Sequence, residues 1–145
     1  MADKALVLDA NVLIRAVLGV RVRTLIEQHA GSVPMYAPES AFQEVREHLP
    51  SVFERRGLSP AVALLVFERL TGMVSSLPEE FYTAAESEAR ARLGRRDPED
   101  WPVLACALML ECPIWTEDTD FFGSGVPTWT TATIEPYLAS TTESE

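Results

Sequence analysis

Ala5-Leu6-Val7-Leu8-Asp9-Ala10-Asn11-Val12-Leu13 is the stretch that decides the fold. Residues 5–8 are short and wholly apolar, as a strand buried on both faces should be. Asp9 ends the run, and a helix is expected over residues 10–18. The chain breaks at Gly19, and a second helical piece covers residues 20–30. A brief strand follows near residues 35–37, bracketed by Pro34 and Pro38. Ser40 and Gln43 have the spacing of a capping box, which opens a helix to about Leu49 that resumes through Arg55. Ser59-Pro60 starts another helix ending near Met73. A third short strand is expected over residues 74–77, then a helix from Pro78 to its stop at Gly94.

Asp97-Pro98-Glu99-Asp100 reads as a strong helix start, with an Asp cap, Pro in the first turn and acids at the positive helix end. The run from Trp101 to Leu110 is apolar almost all round, so this helix is central and buried. Pro113 precedes a strand over residues 114–116, a helical turn covers 118–122, and a last strand covers 126–130. Short apolar strands alternating with helices make an α/β fold with a mainly parallel sheet and right-handed crossovers. Helices on both faces give a three-layer α/β/α sandwich.

In such a sheet the carboxyl ends of the strands face one crevice. Asp9 and Asp118 each follow a strand. Asp100 projects from the first turn of the buried helix, and Glu44 from the first turn of the helix after the second strand. Carboxylates gathered there repel one another unless a cation is bound. Carboxylates without His or Cys suit magnesium or manganese better than zinc. Each acid also has a plainer reading: Asp97, Asp100, Asp118 or Asp120 as a helix or turn cap, Glu44 as a solvated helix residue, and Asp9, for which this reading is weakest because both flanks look buried, as a cap as well. Several independent caps on one sheet edge are a less economical account than one site.

The 145 residues are 47% apolar, enough for one domain over residues 1–139 with a sizeable core. Residues 140–145 read as a frayed polar tail. A net charge of −10 argues against binding nucleic acid or an anionic membrane through bulk charge. It leaves room for nucleic acid held by a local basic patch and a cation. Cys106 and Cys112, six residues apart on the predicted helix, point in different directions, so no disulfide is expected. There is neither a signal peptide pattern nor an apolar run of membrane-spanning length, and the expected address is the cytoplasm.

The ordered set Leu8-Asp9-Ala10-Asn11-Val12-Leu13, Gln43-Glu44-Val45, Asp97-Pro98-Glu99-Asp100 with Leu104-Ala105-Cys106-Ala107, and Thr116-Glu117-Asp118-Thr119-Asp120-Phe121 resembles the PIN domain from about residue 5 to residue 131. The resemblance implies a magnesium- or manganese-dependent ribonuclease, often the toxin of a bacterial toxin–antitoxin pair of the VapBC kind. It places the family's acidic quartet on Asp9, Glu44, Asp100 and Asp118. Asp100 is preferred to Asp97 because it lies seven residues before Ala107, the family's spacing. Asp97 and Asp120 match further acids of the family, and Asn11 and Thr116 match polar positions that support the site. Trp101-Pro102 departs from the small or aliphatic residues usual after the acid.

The expected reaction is metal-assisted hydrolysis of an RNA phosphodiester at Asp9, Asp100, Asp118 and Glu44. Arg95 and Arg96 are candidates to touch the RNA backbone, beside the alternative of a solvated helix face. Trp101, Trp115 and Trp129 are read as core. Val62, Leu65, Val66, Arg69, Leu70 and Met73 share one face of the helix over residues 59–73. That face is read as core, with a second reading as a surface for a partner helix such as an antitoxin tail or a homodimer face; a homodimer is expected. The rival functions are an inactive binding or scaffold module on the same fold, and a stand-alone RNA-processing nuclease without an antitoxin. A haloacid-type phosphatase would want an Asp where Asn11 stands. A receiver-like domain would want a late lysine, and the chain's one lysine is Lys4.

Overall fold

The structure, a computed structural model, describes residues 4–96 and 98–140, with Pro98 described in its backbone alone. Among the described residues five strands form one parallel sheet: β1 (Leu6–Leu8), β2 (Met35–Pro38), β3 (Val74–Leu77), β4 (Ile114–Trp115) and β5 (Thr128–Trp129). Their spatial order is β3-β2-β1-β4-β5. From the central β1 the chain runs outward through β2 and β3, then crosses to β4 on the other flank and ends on β5. The order therefore reverses beside β1, and the crevice at its carboxyl end lies between β1 and β4. Val7 pairs with Ile114 and Leu8 with Trp115, which brings Asp9 level with Thr116.

Alternation along β1 divides the core in two. Leu6 and Leu8 join a cluster with side chains of α1 (Ala10–Leu18), α2 (Val20–His29), α3 (Glu39–Arg55), α4 (Pro60–Leu70) and α8 (Glu135–Ala139). Val7 points the other way. It joins a cluster with α6 (Glu86–Leu93), α7 (Trp101–Leu110) and Tyr82 of α5 (Glu79–Tyr82). The result is the expected three-layer sandwich, and β1, wholly buried, is its centre. Trp115 is fully buried, and Trp101 and Trp129 pack against the two clusters. No helix among the described residues is long and apolar enough to cross a membrane.

Several expectations need correction. Ser40 and Gln43 form no capping box: α3 begins at Glu39, with Pro38 at its N-cap and no side-chain cap bond. Strand β2 runs directly into the helix, so Ser40 is already inside it, and Glu44 lies in its second turn. The helix then continues through Pro50 to Arg55. The expected helix over residues 78–94 is broken into α5, a 3-10 turn (Thr83–Ala85) and α6. Pro98–Asp100 also form a 3-10 turn, so Asp100 precedes α7 and its side chain makes no cap bond. On α4 the buried residues are Ala63, Phe67 and Leu70, while Val62 and Leu65 are 51% and 69% exposed. The face predicted as core is therefore split: Leu70 is buried and Val66 and Met73 pack against the core, while Val62, Leu65 and Arg69 face outward, because Phe67 anchors the helix against Phe42 of α3, ring centroids 5.9 Å apart. The last strand shrinks to Thr128–Trp129, and α8 was not expected.

Cys106 and Cys112 are both free and buried, and burial raises both thiols above their ordinary pKa. Cys112 lies beyond the helix. Glu111, in the left-handed conformation at φ 54°, caps α7 one residue earlier. Asp97 and the tail residues 141–145 lie outside the described residues.

Candidate functional site

The site is assembled where β1 and β4 end. Asp9 takes extended backbone angles at the N-cap of α1, and its Oδ1 accepts the Ala10 N–H at 2.7 Å. Its Oδ2 accepts the Thr116 hydroxyl at 2.8 Å and the Asn11 side-chain amide at 3.2 Å. Thr116, fully buried just past β4, is the hub. Its Oγ1 also accepts the Asp118 backbone N–H at 2.9 Å, coupling the two strand-end acids through one hydroxyl. Asn11 adds a second link, because its Oδ1 accepts the Glu117 N–H at 3.2 Å. Asn11 and Thr116, the two polar positions singled out in the sequence, both hydrogen-bond to Asp9.

Asp118 also caps the 3-10 turn Thr119–Phe121, its Oδ1 accepting the Asp120 N–H at 2.9 Å. The capping and cation-binding readings of Asp118 are thus compatible: the cap uses one carboxylate oxygen and sets the direction of the other. The turn brings Asp120 beside Asp118. Together with Asp100 they offer three carboxylate oxygens within 4.8 Å of one another. All three residues are half-buried, and Oδ2 of Asp100 is shielded from solvent.

Asp9 stands beside this group. Burial raises its carboxyl from the usual range to about 6, the Thr116 and Ala10 hydrogen bonds pull it back in part, and the charges of Asp118 and Glu44 push it up again. Glu44, exposed on α3, therefore faces the site electrostatically while standing outside the three-carboxylate group. Three carboxylates in reach of one ion, with a fourth that is costly to ionise alone, fit a hard divalent cation held by oxygen. Among the described residues no His or Cys joins the group.

Arg96 has a role that the sequence did not disclose. Its Nη1 donates to the Asp120 carbonyl at 2.9 Å and to the Phe122 carbonyl, while Arg92 Nη1 donates to the Ser124 carbonyl at 2.8 Å. Arg96 lies four residues before Asp100, so its guanidinium ties the segment bearing Asp100 to the turn bearing Asp118 and Asp120. Gly123 and Gly125 admit the two arginines: both have φ near 87°, and a Cβ at 123 or 125 would stand 3.2 Å from Arg96 Nη2 or 2.7 Å from Arg92 Nη1. Arg95 is exposed. Glu117 was also missed. It accepts the Thr131 N–H at 2.8 Å and the Thr131 hydroxyl, fastening the strand-end loops of β4 and β5. The signal available in the sequence was the Gly123-Ser124-Gly125 spacing after Phe121-Phe122.

The same arrangement of sheet and helices recurs in solved structures. VapBC2 from Rickettsia felis bound to a DNA fragment from their promoter superposes with a TM-score of 0.68 at 10% identity, covering 87% of this chain and 98% of that chain. DNA-bound VapBC from Salmonella typhimurium gives 0.68 at 16% identity, covering 90% and 99%. FitAcB from Neisseria gonorrhoeae gives 0.59 at 21% identity, covering 88% and 98%. At such identities the likeness is one of fold. Among curated proteins none matches the sequence. The family model described as PIN domain matches residues 7–139, a span that takes in Asp9, Asp100, Asp118 and Asp120, and the chain therefore belongs to the PIN domain family.

Proposed function

We propose that the chain is a divalent-cation-dependent endoribonuclease, the toxin of a type II toxin–antitoxin pair. The observation that carries this reading is the convergence of Asp100, Asp118 and Asp120 within 4.8 Å, next to Asp9, at the switch-point crevice. Asp100, Asp118 and Asp120 would hold Mg2+ or Mn2+ together with Asp9, and Glu44 would act from across the site. The bound ion would supply Lewis-acid polarisation of the scissile phosphate and a lowered pKa for water.

The chain's own residues do the positioning. Thr116 Oγ1 and the Ala10 N–H fix both oxygens of Asp9, Asp118 fixes the turn that presents Asp120, and Arg96 holds that turn against the Asp100 segment. In hydrolysis the water oxygen bonds to phosphorus as the bond from phosphorus to the 3′ oxygen breaks. The water's protons pass to solvent-linked carboxylates and to the leaving oxygen, and the products carry a 5′-phosphate and a 3′-hydroxyl.

A protein partner, an antitoxin or a second copy of the chain, is supported by the exposed Leu58, Val62 and Leu65, which are 50%, 51% and 69% exposed around α4. The likeness to VapBC structures supports the same pairing. The test is cleavage of a panel of structured RNAs with Mg2+ or Mn2+. Wild type should cut and Asp9→Asn should be inert while its circular dichroism is unchanged. Undiminished cutting by Asp9→Asn would refute the assignment.

A further inference from the structure

A cavity of about 500 Å³ opens between the end of α1, the start of α2, the end of α3 and the segment after β5. Arg15, Arg21, Arg56 and Thr131 line it, with Gly19 at the wall where α2 begins. Three of the chain's 12 basic residues thus converge on one hollow in a protein of net charge −10. Most other cations are already engaged. Arg46, Arg90 and Arg92 sit in ion pairs, while Lys4, Arg23 and Arg96 donate to backbone carbonyls. Among the described residues Arg15 and Arg56 make neither kind of bond. Arg21 pairs with Glu135 at 2.8 Å, but both side chains are more than half exposed, and such a pair is readily exchanged for a stronger anion.

The cavity is joined to the acidic centre. Arg15 follows Asn11 by one turn of α1, about 6 Å along its axis, and Asn11 donates to Asp9. On the other wall Thr131 donates to Glu117, whose N–H donates in turn to Asn11. Of the cavity lining, Thr131 thus lies one hydrogen-bonded bridge, and Arg15 one helical turn, from Asn11, the residue bonded to Asp9. Guanidinium groups bind phosphate through paired N–H donors, and here they stand beside a centre read as acting on phosphodiesters.

We propose that the cavity lined by Arg15, Arg21 and Arg56 is a phosphate-binding subsite that holds the RNA backbone next to the cleaved bond. The proposal rests on the ribonuclease reading of the acidic centre. It explains how so acidic a chain retains RNA: local arginines offset a repulsive field where the strand must pass.

The experiment measures anisotropy of a labelled single-stranded RNA of about twelve nucleotides on the Asp9→Asn protein. Arg15→Ala/Arg56→Ala is compared with Arg55→Ala/Arg69→Ala, an exposed pair with the same change in net charge. The cavity pair should raise Kd about tenfold or more and reduce the slope of log K against log salt by about 1.4, the value for two phosphate contacts on a single strand. The control pair should change Kd less than about twofold. In the Asp9 background the cavity variants should raise KM for RNA and leave kcat unchanged. Equal effects from the two pairs, an unchanged salt slope, or a glutamate-rich peptide that binds the cavity without displacing RNA would each overturn the subsite. If wild type cuts no RNA, the ribonuclease reading falls and takes the subsite with it. If wild type cuts and the cavity variants cut with unchanged KM, the subsite alone falls.

Discussion

Asp9 combines an exposure of 7% with a carboxyl raised to about 6, because burial removes water from it faster than Thr116 and Ala10 replace that water. In the unfolded chain the group has the ordinary value of 3.8. The folded state therefore binds the proton more tightly, and the metal-free protein loses stability as pH rises from about 4 through about 6. The loss is on the order of 3 kcal/mol if this group acts alone. The expected outcome is measurable in chelator: the melting temperature of wild type falls relative to Asp9→Asn across that window, and the gap stays constant below it. Parallel curves for the two proteins would show that Asp9 is not strained by its charge. The place of Asp9 at the end of β1 was legible in the sequence, because it is the residue that interrupts the apolar run. The sequence could not locate the Thr116 hydroxyl 107 positions away, whose contact depends on β1 and β4 being neighbours.

At the scale of elements, α4 is the most instructive. The stripe Val62, Leu65, Val66, Leu70 has helical spacing, and so does the stripe Ala63, Phe67, Leu70. Periodicity alone finds two faces on a helix this apolar. Phe67 decides between them, since its ring packs on Phe42 and is fully buried. Phe67→Ala should therefore cost about 3–5 kcal/mol, whereas Leu65→Asp should shift stability by no more than about 0.5 kcal/mol. Urea denaturation of both variants checks the pair; comparable losses would return Leu65 to the core. Boundaries failed for a related reason. Ser40 has the residue type and spacing of a cap, yet the helix is already under way because β2 enters it without a loop.

Across the whole molecule, Asp100 and the Asp118–Asp120 pair come from different segments of the chain, and folding brings their like charges within 4.8 Å of one another. A divalent ion held by the folded state alone stabilises it by mass action, about 2.7 kcal/mol at a hundredfold excess over Kd. Mn2+ should therefore raise the melting temperature of wild type in proportion to the logarithm of its concentration. Asp118→Asn should abolish most of that rise while melting normally in chelator. An equal rise in both proteins would place the ion elsewhere. By itself the sequence determined the alternation of apolar runs and helices, the parallel three-layer fold, and the acids at the ends of β1 and β4. Those are local patterns, set by period and by what interrupts a buried run. Only the tertiary structure decided that Asp120 stands with Asp100 and Asp118, that Arg96 clamps their loop, that α4 turns Leu65 outward, and that three arginines meet in one cavity. Each of these depends on the order β3-β2-β1-β4-β5, which brings distant segments together and leaves no periodic trace in any one of them.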